Sequence, residues 1–213
     1  MLIYTGKDNY RKAIAITLPK ERMRVGVMLS GGADSAILLY LLCLERKKTN
    51  SPHKIIPVTV PRTDGAWNYV ADIVDYVRKE LDCELPDPIK CGCGDPDSHH
   101  SVQVTSGREY VFEHNLVDLV YYGSQKTPPA EFPMPGIYPE RPDRVTYNRV
   151  ICPFAEVDKR NTIELFGLYK QWDLLALTHS CTEKTHGRCG KCFNCTEREW
   201  ALDACGFTDS GEK

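Results

Sequence analysis

Two groups of residues have the types and spacing to do chemistry. The first is Ser30-Gly31-Gly32-Ala33-Asp34-Ser35, which follows the apolar run Val25-Gly26-Val27-Met28-Leu29 and precedes a largely apolar helical pattern at 36–46. Between a strand and a helix, backbone N–H groups point outward and the helix N-terminus is partly positive, so the junction favours an anion. Two glycines let the backbone approach a ligand closely, and Ser30 and Ser35 add hydroxyls. A plain glycine turn with a serine cap is the bland alternative, and the strand-to-helix setting favours the phosphate reading over it. The Walker pattern G-x-x-x-x-G-K-S/T requires a lysine that does not follow Gly32, and G-x-G-x-x-G is absent as well. Asp34 beside a polyphosphate calls for a screening cation such as Mg²⁺.

The second group lies among ten cysteines. Cys43, Cys83 and Cys152 are scattered, whereas Cys181, Cys189, Cys192 and Cys195 give C-x7-C-x2-C-x2-C. Cysteines at this spacing place thiolates on one tight turn, and four of them suit a tetrahedral Zn²⁺ at about 2.3 Å. With every position filled by sulfur, one such ion per chain is structural. An iron–sulfur cluster is the chemical rival, and disulfides come third. Cys205, on the expected helix 196–205, reads as a packed residue rather than a fifth ligand. Cys91-Gly92-Cys93 with His99 and His100 fits the usual zinc spacings poorly and reads as an ordinary loop.

The elements that must hold these groups alternate. Strands are expected at 25–29, 55–60, 119–122 and 174–178, and helices at 36–46, 67–81, 107–118 and 158–172. Val70, Ile73, Val74, Val77 and Leu81 fall at helical spacing. Pro57 stands inside the second strand, where a ladder donor would be lost. The Pro-rich stretch 127–142 reads as an active-site or surface loop. Strands alternating with helices imply an α/β fold, a mostly parallel twisted sheet with helices on both faces. The expected organisation is an N-terminal extension at 1–23, in the form of an extra strand and turn at the sheet edge, an α/β nucleotide-binding domain at 24–178 and a zinc-binding helical segment at 179–213.

The string S-G-G-x-D-S in this setting resembles the loop of the PP-loop ATP pyrophosphatases, which grip the β,γ-pyrophosphate of ATP while a substrate oxygen attacks the α-phosphorus. The resemblance narrows with Ser180-Cys181, the run Cys189-Gly190-Lys191-Cys192-Phe193-Asn194-Cys195, Arg198, Gly206 and Asp209. Together they look like the C-terminal pattern of the 7-cyano-7-deazaguanine synthase (QueC-like) family, whose four cysteines bind zinc. Pro153-Phe154-Ala155-Glu156-Val157-Asp158-Lys159 is similar to that family's P-L-x-x-x-x-K segment. The resemblance runs from Val25 to Asp209.

It implies an ATP-dependent ligase of queuosine or deazapurine biosynthesis that adenylates a 7-deazaguanine 7-carboxylate and converts it with ammonia to the amide or nitrile. Backbone and side chains of Ser30, Gly31, Gly32, Ala33, Asp34 and Ser35, with Gly123 at the end of the strand 119–122, would bind ATP. Asp34 and Lys159 would be catalytic, Asp34 through Mg²⁺ or ATP orientation and Lys159 through transition-state charge. A solvated lysine at a helix start is the alternative for Lys159. Val60-Pro61-Arg62-Thr63-Asp64-Gly65-Ala66-Trp67 and Ser124-Gln125-Lys126-Thr127-Pro128-Pro129 depart from the family's substrate-binding segments. A PP-loop tRNA thiolase and an enzyme adenylating another carboxylate therefore stand as alternatives. A homodimer is the assembly the family implies.

Composition sets the outer bounds. Lys+Arg 27 against Asp+Glu 29 gives a net charge of -2, which argues against a sequence-independent nucleic-acid binder, and 42% hydrophobic residues suffice for a core. No run approaches the ~18 apolar residues of a membrane span. The opening Met1-Leu2-Ile3-Tyr4-Thr5-Gly6-Lys7 lacks a basic stretch followed by an apolar one, so the expected location is the cytoplasm.

Overall fold

Val25, Val27 and Met28 are buried, as a strand covered on both faces requires. In the computed structural model, which describes residues 1–6, 10–92, 100–134, 149–209 and 211, that strand is the centre of the sheet. In chain order the strands are β1 (Leu2–Thr5), β2 (Lys12–Ala15), β3 (Arg24–Met28), β4 (Lys54–Thr59), β5 (Ile89–Lys90), β6 (Leu119–Tyr122) and β7 (Val150–Ile151). The helices are α1 (Ala33–Thr49), α2 (Val70–Leu81), α3 (His100–Glu113), α4 (Lys159–Leu168), α5 (Trp172–Ala176) and α6 (Phe193–Cys205). The main sheet has the order β5-β4-β3-β6-β7, and every pairing in it is parallel.

From β3 the chain builds outward through β4 to β5, then returns to the other side of β3 as β6. The reversal leaves a crevice at the carboxyl ends of β3 and β6, where ligands of open α/β sheets bind. One face of the sheet packs on α1, α2, α4 and α5 in a core that includes Ile37, Leu41, Val74, Leu165 and Leu174. The other packs on α3 through Val111 and Val104 against Met28, Val58, Val60 and Val120. The expected parallel sheet with helices on both faces is present.

Pro57 is tolerated for a local reason. Val58 faces β3, since its carbonyl accepts the Leu29 N–H at 2.7 Å, so Pro57 faces the β5 side. There β5 begins only opposite Val58, and no ladder donor is lost.

Three expectations are corrected. Residues 174–178 do not form a strand, because 172–176 form α5, with Leu174 and Leu175 buried and the Leu177 N–H bonded to the Asp173 carbonyl at 3.2 Å. A short apolar run has no periodicity to separate the two outcomes, and the place beside β6 is taken by β7. The segment 1–23 does not extend the main sheet: β1 and β2 pair with each other as a separate antiparallel hairpin. That hairpin lies against α4, where the Asn161 amide donates to Thr5 Oγ1 at 3.1 Å and to the Tyr10 carbonyl at 3.2 Å. The helix expected at 107–118 is α3, which begins earlier and stops at Glu113, with Asn115 at a positive φ of 50°. Part of the Pro-rich stretch, and Cys93 with His99, lie outside the described residues.

Candidate active site and metal centre

The loop after β3 is shaped first by its own hydroxyls. The Ser30 N–H donates to Ser35 Oγ at 3.2 Å, the Gly32 N–H donates to Ser30 Oγ at 3.2 Å, and the Ser35 hydroxyl donates to the Gly32 carbonyl at 3.0 Å. Gly32 caps α1 with no side-chain bond to the first turn, which leaves Ala33, Asp34 and Ser35 as the N–H-bearing start of a 17-residue helix. Two glycines are fixed by space. Gly31 has φ +89°, and a Cβ there would stand 1.8 Å from the Ala66 carbonyl oxygen. Gly123, at the end of β6, lies against the first turn of α1, where a Cβ would meet the Asp34 carbonyl carbon at 3.1 Å and the Ser35 nitrogen at 3.2 Å.

Asp34 projects from that turn into a closed set of donors. Its Oδ1 accepts from the Thr162 hydroxyl at 2.9 Å and from the Gln125 amide, and its Oδ2 from the Lys159 ammonium. Lys159 is the first residue of α4, held in place by a capping box of Asp158 and Asn161. Its Nζ also lies 3.8 Å from Glu197 Oε2 on α6, a side chain that is 1% exposed. Helices α1 and α6 therefore converge on one buried cation at the start of α4. The sequence-predicted Ser30, Gly31, Gly32, Ala33, Asp34, Ser35, Gly123 and Lys159 all meet here.

Two cavities open on the loop. One of about 200 Å³ runs between β3, β4 and β6 and is lined by Leu29, Asp34, Val60, Tyr122 and Gly123. A second of about 90 Å³ lies toward the cysteines, lined by Asp34, Lys159, His179, Ser180, Cys181 and Asn194. Arg62 borders both.

The four predicted cysteines also come together: the Sγ atoms of Cys181, Cys189, Cys192 and Cys195 all lie within 4.8 Å of one another. Cys192 caps α6 and Cys195 sits in its first turn. Backbone donors support the sulfurs, with the Cys192 N–H on Cys189 Sγ at 3.2 Å and the Glu183 N–H on Cys181 Sγ at 3.4 Å. The N–H groups of Lys191 and then Cys192 bring the Cys189 thiol down to about 6, whereas burial pushes Cys195 up to about 12. A bound cation reverses the second effect, because a coordinating thiol is deprotonated. The donor set fits a metal centre.

That centre is fastened to the Ser30–Ser35 loop. The His179 N–H donates to the Gly31 carbonyl at 2.9 Å, and the His179 ring stacks on Tyr69 at 4.9 Å. Arg198, 1% exposed, donates to Thr178 Oγ1 at 2.6 Å, to the Leu175 carbonyl at 2.9 Å and to Asp209 Oδ2 at 2.9 Å. Desolvation brings this guanidinium down to about 9. It ties α5, the approach to the cysteines, α6 and the tail into one unit.

Sequence reasoning missed Gln125, Thr162, Glu197, Arg62 and Asp64 as members of this site. No motif marks them: each is a single polar residue brought in by tertiary packing. Arg198 and Asp209 were part of the quoted resemblance, and the structure joins them as an ion pair.

No protein-family model matches this sequence, and no curated protein matches it. Among solved structures, the chain is similar to the U34-tRNA thiolase NcsA from Methanococcus maripaludis with its 4Fe-4S cluster, at a TM-score of 0.45 and 15% identity over 86% of this chain. The match spans 65% of that chain's length. Among the described residues, no helix is long and apolar enough to cross a membrane.

Proposed function

We propose that this chain is an ATP-dependent enzyme of the PP-loop kind that activates a carboxylate as its adenylate and transfers it to ammonia. The observation that carries the reading is the placement of Ser30–Ser35, Asp34 and Lys159 together at the crevice between β3 and β6. A glycine turn with a serine cap needs no buried lysine on a carboxylate in the first helical turn. A nucleotide does: the α1 N-terminus and the loop N–H groups receive the β,γ-phosphates, and Lys159, aimed by Asp34 and Glu197, meets charge that develops at the α-phosphorus.

The acceptor follows from the resemblance to the 7-cyano-7-deazaguanine synthase family. A carboxylate oxygen of 7-carboxy-7-deazaguanine bonds to the α-phosphorus as the bond to pyrophosphate breaks. Ammonia then adds at the activated carbon, and AMP leaves to give the amide. The amide oxygen then bonds to the α-phosphorus of a second ATP as pyrophosphate leaves, and the C–O bond breaks to release AMP while both N–H protons are lost, which gives the nitrile. Mg²⁺ would offset the charge of the triphosphate beside Asp34. A homodimer is the assembly that the resemblance implies.

For the cysteines, the spacing favours one zinc ion over a cluster. Four thiolates around one ion at about 2.3 Å stand about 3.8 Å apart, and the four Sγ atoms here lie within 4.8 Å of one another, with Cys189 and Cys195 at 4.0 Å. A four-iron cube carries each thiolate on a separate iron and spreads them wider. Zinc would lock residues 181–195 and thereby the seat of His179 against Gly31. Its place in the reading is structural.

Incubation with ATP, Mg²⁺, ammonia and 7-carboxy-7-deazaguanine should yield amide or nitrile by mass spectrometry. Absence of product at saturating substrate would remove that acceptor. A brown, iron-containing protein that binds tRNA would favour a thiolase instead.

A further inference from the structure

Arg62 follows β4 and borders both cavities at the loop, together with Ser30, Gly32 and Asp34. Its side chain is 18% exposed, and it donates through one terminal nitrogen to Asp64, whose side chain is 3% exposed. Asp64 in turn accepts the Ala66 N–H at 3.1 Å on its other oxygen. Ala66 is the residue whose carbonyl lies against Gly31. A guanidinium is thus fixed to the phosphate loop by a buried carboxylate and a tight turn, rather than left on a free surface stem. Such a fork has five N–H donors, of which Asp64 engages one in this arrangement. Planar donors of this kind match phosphate oxygens in pairs, which a lysine cannot do.

We infer that Arg62 is a second phosphate-binding cation of the site, gripping the polyphosphate of the nucleotide where the two cavities adjoin. This rests on the phosphate-loop reading proposed above. The chemistry it recognises is a pyrophosphate unit, bound or leaving. Asp64 presets the side chain so that little rotamer freedom is lost when the ligand arrives. Departing pyrophosphate would carry charge to a group already aimed at it.

The test is titration calorimetry with inorganic pyrophosphate and with ATP on the wild type, Arg62→Gln, Arg62→Lys and Asp64→Asn, with folding of each followed by thermal melting. Arg62→Gln should weaken both ligands at least about tenfold and make the affinity less salt-sensitive. Arg62→Lys should recover part of the loss, and Asp64→Asn, which keeps the guanidinium, should stay within about threefold of wild type. Wild-type affinity in folded Arg62→Gln overturns the inference. So does an equal loss in Arg62→Gln and Asp64→Asn, which would make Arg62 an anchor of the turn only. Should Arg62→Gln not fold, wild-type affinity in Arg62→Lys overturns it, and a loss of several-fold upholds it. A wild-type protein that binds neither ligand defeats the phosphate-loop reading itself, a result distinct from any difference between variants.

Discussion

At Gly31 the backbone takes a φ of +89° with the Ala66 carbonyl 1.8 Å from where a Cβ would stand. Gly31→Ala therefore meets both strain and a clash with backbone, and should destabilise the protein by at least ~1–3 kcal/mol, read as a lower urea midpoint, while ATP affinity falls. Lys159 is held differently, by two carboxylates from α1 and α6. Lys159→Met should lower turnover by about 10²–10³-fold, with nucleotide affinity changed far less, as separate calorimetry and rate measurements would show. A drop in affinity equal to the drop in turnover would place the lysine in ground-state binding. Of these residues, Gly31, Asp34 and Lys159 were legible in the sequence because each belongs to a local pattern. Glu197 was not, since a lone glutamate on a helix ordinarily faces solvent, and its burial arises only when α6 packs on α4.

Between elements, the buried guanidinium of Arg198 makes a dense set of contacts. Arg198 on α6 bonds to Thr178 and the Leu175 carbonyl and pairs with Asp209. Arg198→Met leaves Asp209 and those acceptors without their cation, and should cost about 3–5 kcal/mol, visible as a lower melting temperature. Arg198→Lys should recover little of it, because an ammonium cannot span the same acceptors. The strands β3, β4 and β6 were readable from apolar runs bounded by turns. The two-residue strands β5 and β7 carry no pattern long enough to detect. The run Leu174-Leu175-Ala176-Leu177 is apolar in either state, and only the occupied edge beside β6 decides it as helix.

Among the described residues, a backbone hydrogen bond, a stacked ring pair and a buried glutamate join the β3–β6 crevice to the cysteine centre. Removal by a chelator of the metal proposed for the cysteines should thus weaken ATP binding as well as stability, with hydrogen exchange rising at residues 179–195. Unchanged ATP affinity in the metal-free protein would separate the two centres. The parallel architecture and both motif groups were legible in the sequence; their contact was not, because the partners that meet Gly31 and Lys159, His179 and Glu197, lie outside both motifs. The reaction proposed for the Ser30–Ser35 loop cleaves ATP between its α- and β-phosphorus. Phosphorus NMR of a turnover mixture with Mg²⁺, ammonia and 7-carboxy-7-deazaguanine tests it most directly. AMP and pyrophosphate, lost in Asp34→Asn, are the expected products; ADP and orthophosphate would rule out attack at the α-phosphorus.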